Sequence, residues 1–432
     1  MDSVEKIKKV LMEWAEFDVP HGYKRDFDDT FLEAKEVLTV IGARRTGKTF
    51  LCYQMIRKLR ETLPRDNVIY VNLEDERLHP LKGDELTVLW DICQEIFHIN
   101  KDQRVYLFVD EVQNVDNWSK WVRRMADQNE NIKLVITGSS AKLLSREIAT
   151  ELRGRTLSVK LFPLSFKEYL GVKGVSVDLR QILYSRDRPL VKKHFNEYLL
   201  PGGFPAVVDS KRSTDLLREY YNVMFYRDLV ERNRISNLRL MEDYLALLVD
   251  QISCHFSVYM TGKKLNEMGY SFSKTTLSNF SKYAQDAFLS FEVKKYCFKI
   301  REQMRATKKI YIIDHGLAQA VRFAFQDNVG RMLENIAYIE LQRRAADVYY
   351  HKAEKECDFL TVQGGKVISA LQVTKSISAE ITKQREIAGA EEAMADYRIK
   401  EALVLTENEN TDVKTDSGFV RIVPLWYWLL DK

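Results

Sequence analysis

Two stretches of this chain hold residue types at spacings that phosphate chemistry can use. The first is GARRTGKT, in which Gly42, Ala43, Arg44, Arg45, Thr46, Gly47, Lys48 and Thr49 fill the pattern GxxxxGK[ST]. Glycines there let backbone N–H groups curl around phosphate oxygens, and a helix N-terminus behind them adds the positive end of its dipole. Lys48 then reaches the β- and γ-phosphates, the Thr49 hydroxyl ligates Mg²⁺, and Phe50 lies in the first turn beyond the loop. The second stretch is LFVDEVQ, an apolar run ending in Asp110 and Glu111. Asp110 is placed to hold Mg²⁺ through water and Glu111 to orient and polarise an attacking water; a solvated acidic turn is the competing reading. KLVITGSS ends in Thr137, Ser139 and Ser140. Ser139 could contact a γ-phosphate or simply belong to a turn. ATP and Mg²⁺ are the expected cofactors.

These side chains need a scaffold. VLTVI (37 to 41) reads as a buried strand and FLCYQMIRKLRE as a helix, so the loop falls between strand and helix. NVIYVNLED (67 to 75) adds a further strand, giving the alternation of an open, mostly parallel sheet. A strand lying between those of Lys48 and Glu111 is the arrangement of ATPases that use a catalytic glutamate.

Composition bounds the rest. At 432 residues the chain exceeds one hydrophobic core, and roughly two to four domains are expected. No apolar run approaches the ~20 residues of a membrane span. The N-terminus, MDSVEKIKKVLMEWAEF, lacks the apolar core and small-residue cleavage site of a secretory signal. A cytoplasmic protein without a membrane partner is expected. Cys52, Cys93, Cys254, Cys297 and Cys357 are scattered and odd in number, which argues against a disulfide framework or a zinc site.

The loop GARRTGKT, the strand LFVDEVQ, the strand end ITGSS, LRGR at 152 to 155, FPLSFKEYL and GGFPAVV together resemble a prokaryotic family of AAA-type, STAND-like ATPases. In that family the ATPase module precedes a winged-helix region and a C-terminal domain similar to PD-(D/E)XK nucleases. The resemblance implies an α/β protein: a P-loop NTPase core with a parallel sheet, then an α-helical and winged-helix region, then an α/β nuclease-like domain. The boundaries expected are 1–170 for the ATPase domain, 171–235 for a helical lid or linker, 236–315 for the winged helix and 316–432 for the nuclease-like domain. It also implies Arg153 and Arg155 as γ-phosphate contacts, within the chain or from a neighbouring subunit, since a guanidinium neutralises charge on the transferred group. An ordinary basic turn is the other reading.

Net charge is +4, yet residues 261 to 310 hold eleven Lys and Arg against four acids. In that segment SFSKTTLSNFSKYAQDAFL reads as a helix capped by Ser273, with Leu277, Phe280, Ala284 and Ala287 on one face, followed by two short basic strands. Helix followed by hairpin is the pattern of a winged helix. Lys274, Lys282, Lys294, Lys295 and Lys299 are candidate contacts to DNA phosphates; a winged helix that only joins protein to protein, another protein or a second copy, is the alternative.

VGRMLENIAYIELQRR reads as a helix and VYYHKAEKECDFLTVQGGKVISALQVTKSIS as three strands. By the resemblance, Glu334 and Asp358 match the first two acids of the nuclease-like core. The third element departs: where the family has an acid and a lysine, ALQVTK has Gln372 and Thr374, with Lys375 on the opposite face of the strand. The site is therefore expected to be degenerate, lacking a cation and without nuclease activity; a working variant using Gln372 and Lys375 and a merely similar fold are the alternatives. The function expected is an ATP-binding protein, a Mg²⁺-dependent ATPase coupled to DNA or to a conformational switch. The alternatives are an ATP-gated metal-dependent nuclease and an ATP-switched protein-interaction module.

Overall fold

The apolar runs of the first third form five strands: β1 (Val37–Ile41), β2 (Val68–Asn72), β3 (Val105–Asp110), β4 (Ile132–Gly138) and β5 (Thr156–Lys160). They pair in parallel in the order β2-β3-β4-β1-β5. The central strands β1, β3 and β4 are buried almost throughout, as strands covered on both faces must be; of the two edge strands, β2 is buried as well while β5 is half exposed. β4 separates β1 from β3, the arrangement expected for a catalytic glutamate. The loop after β1, Asp110 at the end of β3 and Thr137 near the end of β4 therefore meet at one edge of the sheet, where α/β folds bind ligands.

This computed structural model describes residues 3–144, 150–152, 154–178, 182–322 and 328–431. It divides into two compact units, Met1–Leu161 and Phe162–Lys432. FPLSFKEYL belongs to the second unit for a packing reason. Leu164 N donates to Gly203 O at 2.6 Å, Tyr198 Oη donates to Leu164 O at 3.0 Å, and a Cβ on Gly203 would stand 2.3 Å from that carbonyl oxygen. FPLSF and GGFP are thus two sides of one backbone contact.

The second unit carries β6 (His255–Phe256), β7 (Ser290–Lys295), β8 (Lys308–Ile312), β9 (Asp347–Lys352), β10 (Glu356–Gln363), β11 (Lys366–Val373), β12 (Glu401–Thr406), β13 (Thr411–Lys414) and β14 (Phe419–Pro424). They form a single sheet in the order β13-β14-β12-β11-β10-β9-β7-β8-β6. Helices Leu238–Asp250, Val258–Glu267 and Lys274–Asp286 precede the β7–β8 hairpin. Ser273 caps the third of these by accepting from Thr276 N, and Leu277, Phe280, Ala284 and Ala287 are buried as their spacing predicts. β7 and β9 pair in parallel through Lys294 with Tyr349 and Lys295 with Tyr350. Strands on both sides of residue 315 therefore share one sheet. Among the described residues no helix is long and apolar enough to cross a membrane.

Candidate functional site

The loop after β1 is shaped by its glycines. A Cβ on Gly42 would lie 2.2 Å from Leu161 O. Gly47, at φ 95°, turns the chain into the helix Lys48–Leu59 without a side-chain cap on its first turn. Arg45 also has positive φ, 67°. Ala43 and Thr46 are buried; the Thr46 hydroxyl donates to Ala43 O, and Arg25 Nη1 donates to Thr46 O at 2.6 Å. Arg44 pairs with Glu74 at 2.9 Å, and Phe50 is half exposed. Lys48 folds back over the loop, its Nζ 3.2 Å from the carbonyl oxygens of both Gly42 and Ala43 and 3.2 Å from Glu111 Oε1. A cradle of backbone amides with a movable ammonium fits a polyphosphate.

Asp110 and Glu111 are buried, so they are not a solvated turn. Asp110 accepts hydrogen bonds from Thr49 Oγ1 at 2.6 Å, Tyr70 Oη at 2.7 Å and Thr137 Oγ1. Burial, then the charge of Glu111, raises its pKa against those three bonds. A carboxylate beside a threonine hydroxyl is a hard-oxygen pair of the kind Mg²⁺ takes. Glu111 occupies a left-handed conformation, φ 54°, and its N–H donates to Thr137 Oγ1 at 3.0 Å. Burial would raise its carboxyl, but Lys48, Gln113 and Arg44 override this and hold it at about 2. The Gln113 amide donates both to Glu111 and to Ser139 Oγ, the latter at 3.2 Å, which ties Ser139 to the glutamate.

Arg155 stands elsewhere. It begins the chain into β5, its carbonyl accepting from Val37 N at the opposite end of β1 from the loop, and its guanidinium pairs with Asp127. A five-residue strand separates the two ends by roughly 16 Å, so Arg155 does not reach the loop of its own chain. Arg153 lies outside the described residues.

The acids Glu334 and Asp358 do come together, with a lysine that the strand ALQVTK does not supply. Lys309, on β8, places Nζ 2.7 Å from Asp358, 3.1 Å from Glu334 and 3.0 Å from Glu356. The expectation that the cluster lacks a cation is thus corrected: the lysine comes from another strand, 49 residues before Asp358. β7 and β9 lie between β8 and β10. Three strand spacings are about 14 Å in a flat sheet, so the sheet curls around the helix Val329–Arg343 that carries Glu334. Burial opposes the Lys309 charge, but Asp358 and Glu334 outweigh it and keep the ammonium protonated. Burial and Asp358 push Glu334 up to about 8. Tyr311 Oη also donates to Glu334, at 2.7 Å.

Gln372 does not face an open site. Its Oε1 accepts from Asp358 N at 3.0 Å and its Nε2 donates to Glu386. Both ends of the amide are in use, which a glutamate could not reproduce. Thr374 is buried beyond the end of β11 and Lys375 is exposed, so the structure does not bring Lys375 to the acids. Among the described residues no group of three or more His, Cys, Asp or Glu is placed to hold a metal ion.

Over 94% of its length the chain is 35% identical to the uncharacterized protein MJ1544 of Methanocaldococcus jannaschii, covering 90% of that protein. The chain belongs to the MJ1544 family. An uncharacterized protein of Haemophilus influenzae is 29% identical over 78% of this chain and 82% of its own. Residues 34–170 match the AAA domain and residues 192–328 a domain of unknown function, DUF8612. Among solved structures, the Aeropyrum pernix ORC1 protein in complex with DNA is 11% identical, covering 74% of this chain and 91% of that one at a TM-score of 0.31. Cdc6p of Pyrobaculum aerophilum is 12% identical, covering 78% and 93% at 0.26.

This member of the MJ1544 family thus carries an AAA-type P-loop ATPase domain, and its candidate DNA contacts all lie outside that domain. Lys282, Lys294 and Lys299 are exposed, and Lys295 is half-buried. Lys274 opens its helix, with its side chain outside the described residues. Of the site residues, sequence reasoning missed Tyr70, Gln113, Lys309, Glu356 and Glu386. Only Gln113, inside LFVDEVQ, and Lys309, on the same strand face as Tyr311, left a local signal.

Proposed function

We propose that the protein hydrolyses ATP at the loop of residues 42 to 49, with Glu111 as the base. The observation that carries this reading is the ion pair of Lys48 with Glu111. Triphosphate oxygens compete for the Lys48 ammonium, which then leaves the carbonyls of Gly42 and Ala43. Glu111 loses the charge that holds it near 2 and becomes basic enough to take a proton from water. The water oxygen bonds to the γ-phosphorus, the bond to the β–γ bridging oxygen breaks, and ADP and phosphate leave. Thr49 and Asp110 would hold Mg²⁺, which neutralises charge on the phosphate oxygens.

Helix, strand, two helices and a hairpin over residues 238–312 support a winged helix in the second unit, and its basic excess supports coupling of the ATPase to DNA. The Lys309 cluster reads as an internal ion-pair network. Its ammonium already satisfies the carboxylates that a catalytic metal would need. Phosphate release from Mg²⁺-ATP, measured with and without duplex DNA for the wild type and Lys48→Ala, tests the reading. Release that depends on Lys48 and rises with DNA supports it. Release indifferent to Lys48→Ala sinks the ATPase assignment, and a rate indifferent to DNA removes the coupling.

A further inference from the structure

The β7–β8 hairpin does not close with a tight turn. Between its strands lies a short helix, Ile300–Arg305, with no buried residue. Phe298, Ile300 and Met304 are 85%, 72% and 77% exposed. Side chains this large and apolar, three within seven residues at one projecting end, lack any core to enter. The end is nonetheless well held. Tyr296 N donates to Tyr350 O at 2.8 Å, and the Tyr296 ring packs edge-on against Tyr349 and Tyr397 while its hydroxyl donates to Gly365 O. The apolar side chains are therefore presented from a fixed base.

Their neighbours are cationic. Residues 294 to 305 hold Lys294, Lys295, Lys299, Arg301 and Arg305 against Glu302 alone. Lys308 and Lys309 are already committed inward, to Glu292 and to the buried acids. On the short helix, Ile300 and Met304 are four residues apart, as are Arg301 and Arg305, so an apolar stripe lies beside a basic one.

We infer that this hairpin end binds nucleic acid, its cations on backbone phosphates and Phe298, Ile300 and Met304 against bases at an unstacked or single-stranded step. The inference rests on the DNA-coupled reading above and adds to it the element and the mode of contact. Charge complementarity selects a polyanion, and apolar wedges or stacking platforms among cations are how proteins engage opened bases. A membrane surface suits it less well, because a six-residue helix is only about 9 Å long and three apolar side chains bury little area in lipid.

Fluorescence anisotropy of the full chain against a labelled duplex, the matching single strand and phosphatidylserine–phosphatidylcholine vesicles tests it over a range of salt. The triple variant Phe298→Ala, Ile300→Ala, Met304→Ala is expected to bind nucleic acid about 10-fold more weakly with an unchanged salt slope. The triple variant Lys295→Gln, Arg301→Gln, Arg305→Gln is expected to flatten that slope by roughly 2 to 3. Both keep the wild-type melting temperature, since the altered groups are largely exposed. The greater loss, on duplex or on single strand, identifies which form is held. Wild-type binding that the apolar variant leaves intact overturns this inference and spares the DNA-coupled reading. No wild-type binding to either nucleic acid overturns both, and binding to vesicles alone overturns both in favour of a membrane.

Discussion

Among the described residues each unit buries a lysine against carboxylate oxygen, and the two are built to opposite ends. Lys48 stands at the start of a helix and rests on two carbonyl oxygens and one glutamate, all of which triphosphate oxygens can replace. Lys309 lies within a sheet strand and touches three acidic side chains from two other elements, and its departure would leave the Asp358 charge buried and unpaired. The first arrangement is one whose partners a ligand can displace. The second is a closed set. A buried lysine among acids is therefore no sign of catalysis by itself; what counts is whether its partners can be exchanged.

The comparison breaks most visibly if Lys309 is removed. Lys309→Met is expected to destabilise the second unit by ~3–5 kcal/mol, because the buried Asp358 carboxylate loses the ammonium that pairs with it, as read from urea unfolding. Lys48→Ala should cost less, because Gln113 and Arg44 remain to hold the Glu111 carboxylate. Equal effects of the two would erase the distinction.

The next effect falls on the nucleotide. Lys48→Ala is expected to abolish tight nucleotide binding, while Glu111→Gln keeps it and lowers hydrolysis by about 10²- to 10³-fold. Calorimetric titration and single-turnover rates separate the two steps. Hydrolysis by Glu111→Gln at the wild-type rate would mean that the base is another group.

Titration sharpens the contrast further. Glu334 holds its proton in the folded chain to about pH 8, against an ordinary value of 4.5, so between these values the folded state binds the extra proton. Its contribution is complete below the unfolded value and is lost as pH rises through the folded one, by up to ~1.4 kcal/mol per unit. Unfolding free energies of Glu334→Gln should show a flatter fall over that window, and a slope equal to the wild type's would place the proton elsewhere. The smallest change expected is Gln372→Glu, at ~1–2 kcal/mol, from the lost donation to Glu386 and two facing carboxylates. A variant as stable as the wild type would show that the amide bridge contributes nothing.

How legible these sites were follows from how they are encoded. Lys48, Thr49, Asp110 and Glu111 lie in two short stretches whose spacing dictates local backbone geometry, and the separating strand β4 followed from an apolar run. Tyr70 and Thr137 reach Asp110 from neighbouring strands, so their roles needed the register of the sheet. Lys309 was hidden differently. In KKIYIID it counts toward a basic segment, yet strand alternation puts Lys308 half out and Lys309 in, on the face of Tyr311. Its acids arrive only because the sheet curls, a property of tertiary packing. Gln372 likewise looked like a lost acid until Glu386, on the following helix, supplied its partner.

The parallel pairing of β7 with β9 bears on how such a protein can change over evolutionary time. A crossover placed between residues 312 and 347 would separate strands that hydrogen-bond to one another, leaving each fragment a raw edge open to self-association. Recombination in this lineage should therefore preserve the hairpin and the following C-terminal strands as one heritable block. Gene fusions and losses are better tolerated near Leu161, where the two compact units divide.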